Sequence, residues 1–324
     1  MRIFRSIFRP EMFHGHNKNP PFFEGWYYKL ISADESHKYA IIPGVFLGKD
    51  GYAFVQVLQG NTGEVEFIKY PLETFSAAKD DFVVKIGENT FQLNSLHLDI
   101  RSRKLNVYGK LEFENVIGWP ITLTSPGVMG WYAWVPKMEC YHGVLGFDHR
   151  IIGSLEINGV ALDFTDGRGY IEKDWGAAFP EGYVWMQTNH FQRPNVCLTA
   201  SIAMIPWLGS AFRGFIAGLW IDGELFRFTT YAGAQVDLLE VGDSKVLWKM
   251  RDKNFRLEIE AWRGITGDLK GPTRRNMGMR VAESLAAKIH VKLMRTNGEI
   301  IFEDTGLHAG LEVAGDIERL LNTE

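Results

Sequence analysis

At 324 residues the chain is long for one compact core, so two domains are expected. Apolar residues with Tyr and Cys make up 46% and charged residues 23%, which suits a folded protein and leaves little room for disorder. A formal net charge of −4, with no arginine-rich stripe, excludes an electrostatic grip on nucleic acid.

The chain opens Met1-Arg2-Ile3-Phe4-Arg5-Ser6-Ile7-Phe8-Arg9. This has a charged start but no apolar core segment or small-residue cleavage site, so it does not read as a secretory signal. Phe4, Ile7 and Phe8 are expected to pack against the body, with a weak membrane-surface contact as the alternative. No apolar run reaches the roughly 20 residues that span a bilayer. Cys140 and Cys197 are expected to be buried free thiols, which fits a cytoplasmic protein.

Most of the chain reads as strands. Tyr52 to Leu58 is rich in aromatic and β-branched residues and ends at the turn cluster Gly60-Asn61-Thr62-Gly63. Phe82 to Ile86 turns through Gly87-Glu88-Asn89-Thr90 into Phe91-Gln92-Leu93. Phe215 to Trp220 turns at Ile221-Asp222-Gly223-Glu224 into Leu225 to Phe228. Helical periodicity is confined to the C-terminus, where Leu311, Ile317, Leu320 and Leu321 fit a helix. Val281 to Met294 is ambiguous, with a strand favoured for its second half.

Two pairs of segments echo each other. Glu24-Gly25-Trp26-Tyr27-Tyr28 matches Glu181-Gly182-Tyr183-Val184-Trp185, and Lys85 to Leu93 matches Lys249 to Leu257. A duplicated β-domain explains both together with the length. The expected architecture is all-β, two antiparallel barrels at residues 1–165 and 166–324, followed by a short C-terminal helix.

Several catalytic signatures are missing: no GxSxG elbow, no GK[ST] phosphate loop, no HExxH and no CxxC. Unusual polar residues instead gather among aromatics in three blocks, PPFFEGWYYKL (Pro20 to Leu30), MECYHGV (Met138 to Val144) and GYIEKDWGAAFPEGYVWMQTNHF (Gly169 to Phe191). With a weaker fourth, GEIIFEDTGLHAGLEVAG (Gly298 to Gly315), these blocks resemble the tocopherol cyclases and their bacterial relatives. The resemblance implies two lipocalin-like barrel halves akin to carotenoid hydratases. It also implies a reaction in which the prenyl alkene of a quinol is protonated and the phenol oxygen closes a chromanol ring, with no cofactor or metal.

Such chemistry needs an acid, an apolar channel for the tail and aromatic faces near the cation, with water kept out. On a strand, Tyr170, Glu172 and Asp174 share one face, while Ile171, Lys173 and Trp175 share the other. Asp174 is the leading acid candidate, Glu24 the second, and His142 the third, as an acid or as an orienting partner. Trp26, Tyr28, Lys173, Trp175 and Trp185 are the candidate lining, and Gln187 with Asn189 could hold a phenol or quinone oxygen.

Plainer readings stand beside these. Glu24 and Asp174 could form structural ion pairs with Lys29 or Lys173, the tryptophans could be core fillers, and Gln187 and Asn189 could close bonds at a strand end. His14-Gly15-His16 offers two imidazoles with no third ligand in view, so no metal is expected. The expected partner is an apolar small molecule bound by a monomer or homodimer. A lipid carrier and an alkene hydratase are the competing functions.

Overall fold

The computed structural model describes residues 7–323; Phe4 lies outside them. The first sheet holds β1 (Phe22–Ile31), β2 (Lys38–Leu47), β3 (Tyr52–Gln59), β4 (Glu64–Pro71), β5 (Phe75–Ala77), β6 (Val83–Ile86), β7 (Asn89–Gln92), β8 (Ser95–Arg101), β9 (Asn106–Ile117), β10 (Cys140–Ile157), β11 (Val160–Asp163) and β12 (Arg168–Gly176). The second holds β13 (Gly182–Thr188), β14 (Val196–Trp207), β15 (Ser210–Ile221), β16 (Glu224–Thr229), β17 (Gln235–Val241), β18 (Lys245–Arg251), β19 (Phe255–Trp262), β20 (Thr266–Gly271), β21 (Met279–Arg295) and β22 (Ile300–Gly315). A short helix, α1 (Ile317–Asn322), follows, with Asp316 accepting a hydrogen bond from the Arg319 amide as its N-cap.

Both sheets wind in the same way. The first runs β4-β3-β2-β1-β12-β10-β9-β8-β7-β6-β5, and the second β16-β15-β14-β13-β22-β21-β19-β18-β17. In each, the first strand pairs antiparallel with the last, β1 with β12 and β13 with β22. The open edges are consecutive strands joined by a single 3-10 turn, Leu72–Thr74 in one sheet and Thr230–Ala232 in the other. This all-β, lipocalin-like duplication is the architecture expected from the sequence, and the hairpins at Lys85 and Lys249 are its matching parts. Val84, Ile86 and Phe91 face one core, and Trp248, Met250 and Leu257 face the other.

The chain divides into two compact units: residues 1–59, 64–179 and 269–279 form one, and 60–63, 180–268 and 280–324 the other. The main division falls after Phe179 rather than at 165/166, because β12 is hydrogen-bonded between β1 and β10 and completes the first sheet. Two helix readings also change. The whole of Val281 to Met294 is strand, its alternate residues Val281, Leu285, Ala287, Ile289, Val291 and Leu293 being buried. Leu311 lies in β22, so the helix begins only at Ile317. In both places packing against a sheet outweighs the high helix propensity of Ala and Leu.

Candidate active site

Strand β12 carries polar side chains on both faces, and the two sets do different things. On the inner face Lys173 is fully buried, its Nζ 2.5 Å from Glu24 Oε1 on β1. The ammonium also donates to Pro10 O at 2.9 Å, to Met12 O, and to His14 Nδ1 at 2.8 Å. The His14 amide donates to both Glu24 oxygens at 2.9 and 3.0 Å. Trp175 is stacked between His14 at 4.2 Å and Tyr141 at 5.4 Å. Trp26 is 5.1 Å from the ammonium and donates its Nε1–H to Glu11 O.

Burial pushes the Glu24 carboxyl up, but the Lys173 charge and the His14 bonds outweigh it and hold the group below the usual carboxylate range. Glu24 is therefore an ionised anchor rather than a proton donor, and its partner is Lys173, not Lys29. Trp26 and Tyr28 belong to the core of the first unit, where the Tyr28 hydroxyl donates to Gln92 O at 2.9 Å. His14 and His16 turn to different partners, the second to Ala78 O at 3.1 Å, and do not act as a pair of ligands.

The opposite face of β12 holds the group suited to chemistry. His142 on β10 sits directly across from Asp174 in the strand register, which places both side chains on one face. His142 Nδ1 is 2.9 Å from Asp174 Oδ1, and its Nε2 is 3.7 Å from Glu172 Oε2. Tyr170 donates its hydroxyl to that same Glu172 oxygen at 2.5 Å. Tyr170, Glu172 and Asp174 share the face that their alternation predicts, and Lys173 is on the other, so Asp174 makes no pair with Lys173. The side chains of Glu172, His142 and Asp174 are 7%, 15% and 25% exposed, so Asp174 is the member open to a bound molecule.

On its other side Asp174 is registered opposite Gly25 of β1. A Cβ at Gly25 would make only an ordinary contact, 3.7 Å from Pro43 O, so this position has room for a small side chain. Half-buried Cys140 brings its Sγ to 4.0 Å from Asp174 Oδ1 and packs on an apolar cluster of Phe23, Phe46, Phe54 and Met277. Cys197 is a buried free thiol. The Asp174 carboxyl is thus near a buried, Phe-rich cluster. His142, Glu172 and Asp174 also lie close enough to suggest metal ligands. The carboxylates flank opposite nitrogens of one ring.

Trp185, Gln187 and Asn189 belong to the second unit. Trp185 and Gln187 are buried on β13, and Asn189 Oδ1 bonds His190 Nδ1 at 2.9 Å just past the strand end. In the first unit a cavity of about 660 Å³ opens at the Ile31 end of β1, lined by Tyr39, Val57, Leu105, Ile157 and Leu162 with Lys104 at its edge. It lies at the far end of the strands from Glu24 and Lys173. Sequence reasoning misses Glu172 as a site residue, although the alternation that selects Asp174 also contains it.

Residues 89–315 match the profile of the family described as tocopherol cyclase-like. The chain belongs to that family. The matched span includes His142, Glu172 and Asp174, and begins after the PPFFEGWYYKL block. The chain is similar to a probable chloroplastic tocopherol cyclase of Oryza sativa subsp. japonica, 27% identical over 216 residues, which are 62% of this chain and 45% of the relative. It is also similar to a chloroplastic tocopherol cyclase of Zea mays, 27% identical over 215 residues, 62% of this chain and 44% of the relative. The chain thus spans under half the length of these relatives.

Solved structures support the fold. CghA with Sch210972 aligns with a TM-score of 0.58 at 11% identity, over 91% of this chain and 89% of that one. Kievitone hydratase from Nectria haematococca aligns with a TM-score of 0.51 at 13% identity, over 94% of each chain. Among the described residues no helix is long and apolar enough to cross a membrane.

Proposed function

We propose that this protein is a cofactor-independent cyclase in which Asp174 protonates the alkene of a prenylated quinol and the phenol oxygen closes the ring. The observation that carries the reading is the His142 imidazole set between two carboxylates, Asp174 at 2.9 Å and Glu172 at 3.7 Å, with Asp174 25% exposed. Membership of the tocopherol cyclase-like family supports a prenylated quinol as the substrate class.

In this mechanism the proton shared by Asp174 and His142 passes from the Asp174 carboxyl to the less substituted alkene carbon. The π bond breaks, a C–H bond forms, and a tertiary cation remains. The phenol oxygen attacks that cation, its O–H breaks, and the released proton returns to Asp174, so nothing is consumed. His142 orients the acid and reloads it, while Glu172, fixed by Tyr170, holds the far side of the ring. Tyr27 and Tyr170, 6.4 Å apart edge to face, are the nearby aromatic rings, and their faces favour positive charge. A carrier would have no need of a proton relay beside the bound tail.

The test is incubation of the protein with reduced prenyl quinols in deuterated water, with products read by mass spectrometry. A chromanol carrying one non-exchangeable deuterium is the expected product. A hydrated product with the same label would make the protein a hydratase, and tight binding without turnover would make it a carrier. Asp174→Asn should lower turnover by about a hundredfold or more, the range of a lost general acid. Full activity in that variant would refute the assignment.

A further inference from the structure

The end of the first unit farthest from Glu24 and Lys173 holds a cavity of about 660 Å³, within the size range of small-molecule sites, and the reaction proposed above makes no use of it. Its two walls differ in chemistry. One comes from β2, β3 and β4, where two rungs of the sheet face inward. Tyr39, Gln59 and Glu64 form the outer rung, with Gln59 opposite both of the others. Ile41, Val57 and Glu66 form the inner rung, with Val57 opposite both of the others. Residues directly opposite in an antiparallel pair share a face, and Ile41 and Val57 belong to the core, so Glu66 points the same way. Ile68 and Tyr70, next on that face of β4, pack against the same core.

The other wall is apolar. Ile157 and Leu162 of the β10–β11 hairpin are buried, and Leu105, at the turn into β9, packs against the core. Asn158 at the hairpin tip accepts from the Asn106 amide at 2.8 Å and donates to Lys104 O at 3.4 Å, so its polar groups are engaged. Val160 is 60% exposed and adds an apolar surface to the mouth.

On the polar wall, by contrast, hydrogen-bonding capacity is left over. Tyr39 is only 5% exposed, and its hydroxyl has no hydrogen-bond partner among the described residues. Glu66 is half-buried, and its carboxylate has neither a cation nor a donor among the described residues. A buried tyrosine hydroxyl ordinarily finds a partner, and an inward carboxylate is costly without one. Lys104 stands exposed at the edge of the apolar side, while Glu64 and Glu66 make the polar wall acidic.

We propose that this mouth is a second ligand site, for an apolar molecule carrying an ammonium group. The tail lies on Leu105, Ile157 and Leu162, and the ammonium donates to the Glu66 carboxylate and the Tyr39 oxygen. Hydrogen bonds between ionised partners are stronger than neutral ones, which makes the head group the source of selectivity. The site is separate from Asp174 and His142, and the inference does not rest on the cyclase reading.

Titration calorimetry on the full chain tests it with octylammonium, octanol and octanoate, which share a tail and differ in head group. Octylammonium should bind about tenfold more tightly than octanol, and octanoate least of all. Glu66→Gln should weaken octylammonium by about tenfold and leave octanol as it was. Glu73→Gln, at an exposed carboxylate outside the cavity, should change neither and so separates this site from general attraction of cations. Val160→Lys, at an exposed position that leaves the fold intact, should weaken octylammonium and not octanol, by placing a like charge at the mouth. Hydrogen exchange should slow in the β3–β4 and β10–β11 hairpins when octylammonium is bound. Absence of octylammonium binding, octanol binding of equal strength, or full octylammonium affinity in a folded Glu66→Gln variant would each overturn the inference. Glu66 would then be an inward charge that guards the edge strand β4 against pairing with another chain.

Discussion

The dipeptide Glu-Gly stands near the start of the central strand of each unit, and the two copies have opposite fates. Glu24 is fully buried against Lys173, while Glu181 lies at the surface paired with Arg319 of α1. A Cβ on Gly25, opposite Asp174, would meet only Pro43 O at 3.7 Å, whereas one on Gly182 would lie 2.3 Å from the backbone oxygen of Asp316. The faces differ as well. Trp26 and Tyr28 point into the first core, but their sequence counterparts Tyr183 and Trp185 point away from the second, which takes Val184 and Met186 instead. A one-residue slip in a strand exchanges its two faces. The duplication therefore preserved strands and turns, while the alignment of these motifs does not preserve which side chain is inside.

Breaking the buried pair is the most severe test of this contrast. Glu24→Ala or Lys173→Met should each destabilise the first unit by about 3–5 kcal/mol, because each strands one buried charge. Denaturant unfolding should show the loss, and Lys173→Met should also free Pro10 and Met12. Glu181→Ala, at a solvated pair, should be indistinguishable from the parent in the same measurement.

Acid provides the next largest separation. His149 is buried against Phe113, with neither ring nitrogen bonded, in space left by Gly169, where a Cβ would fall 2.2 Å from Nε2. Burial disfavours its charged form and lowers it from 6.5 to about 3. The unfolded chain thus takes up the proton first, and stability falls as pH drops below 6.5, by about 1.4 kcal/mol per pH unit until about pH 3. The Glu24 carboxyl, held low, adds to the loss as pH falls below its ordinary range. The first unit should unfold ahead of the second in an acid titration followed by hydrogen exchange. His149→Phe should shift its midpoint to lower pH.

The glycines give the finest distinction. Gly182→Ala should cost about 1–3 kcal/mol by forcing β13 from Asp316. Gly25→Val needs no unusual backbone angle and its Cβ meets nothing nearer than 3.7 Å, so stability should hold. Turnover should nevertheless drop, because the new side chain fills the space beside Asp174. Unchanged turnover would place the substrate elsewhere.

Alternation along β12 is legible in the residues themselves: Tyr170, Glu172 and Asp174 do share a face, and Lys173 and Trp175 the other. That His142 faces Asp174 is not legible there, because it depends on the β10–β12 register across 32 positions of sequence. Nor does the sequence show that Glu24, a candidate acid by its motif, is neutralised by Lys173. Motif blocks rank aromatic residues by their oddness, and so select Trp26 and Tyr28, which fill the core.

By itself, then, the sequence determined the all-β duplication, the hairpins and the two faces of β12, because turn residues and period-two patterning act locally. Tertiary structure alone decided that Asp174 meets His142 and that Glu24 is locked in a buried pair with Lys173. Those properties follow from burial and from partners distant in sequence, which only the closed sheet brings within bonding distance.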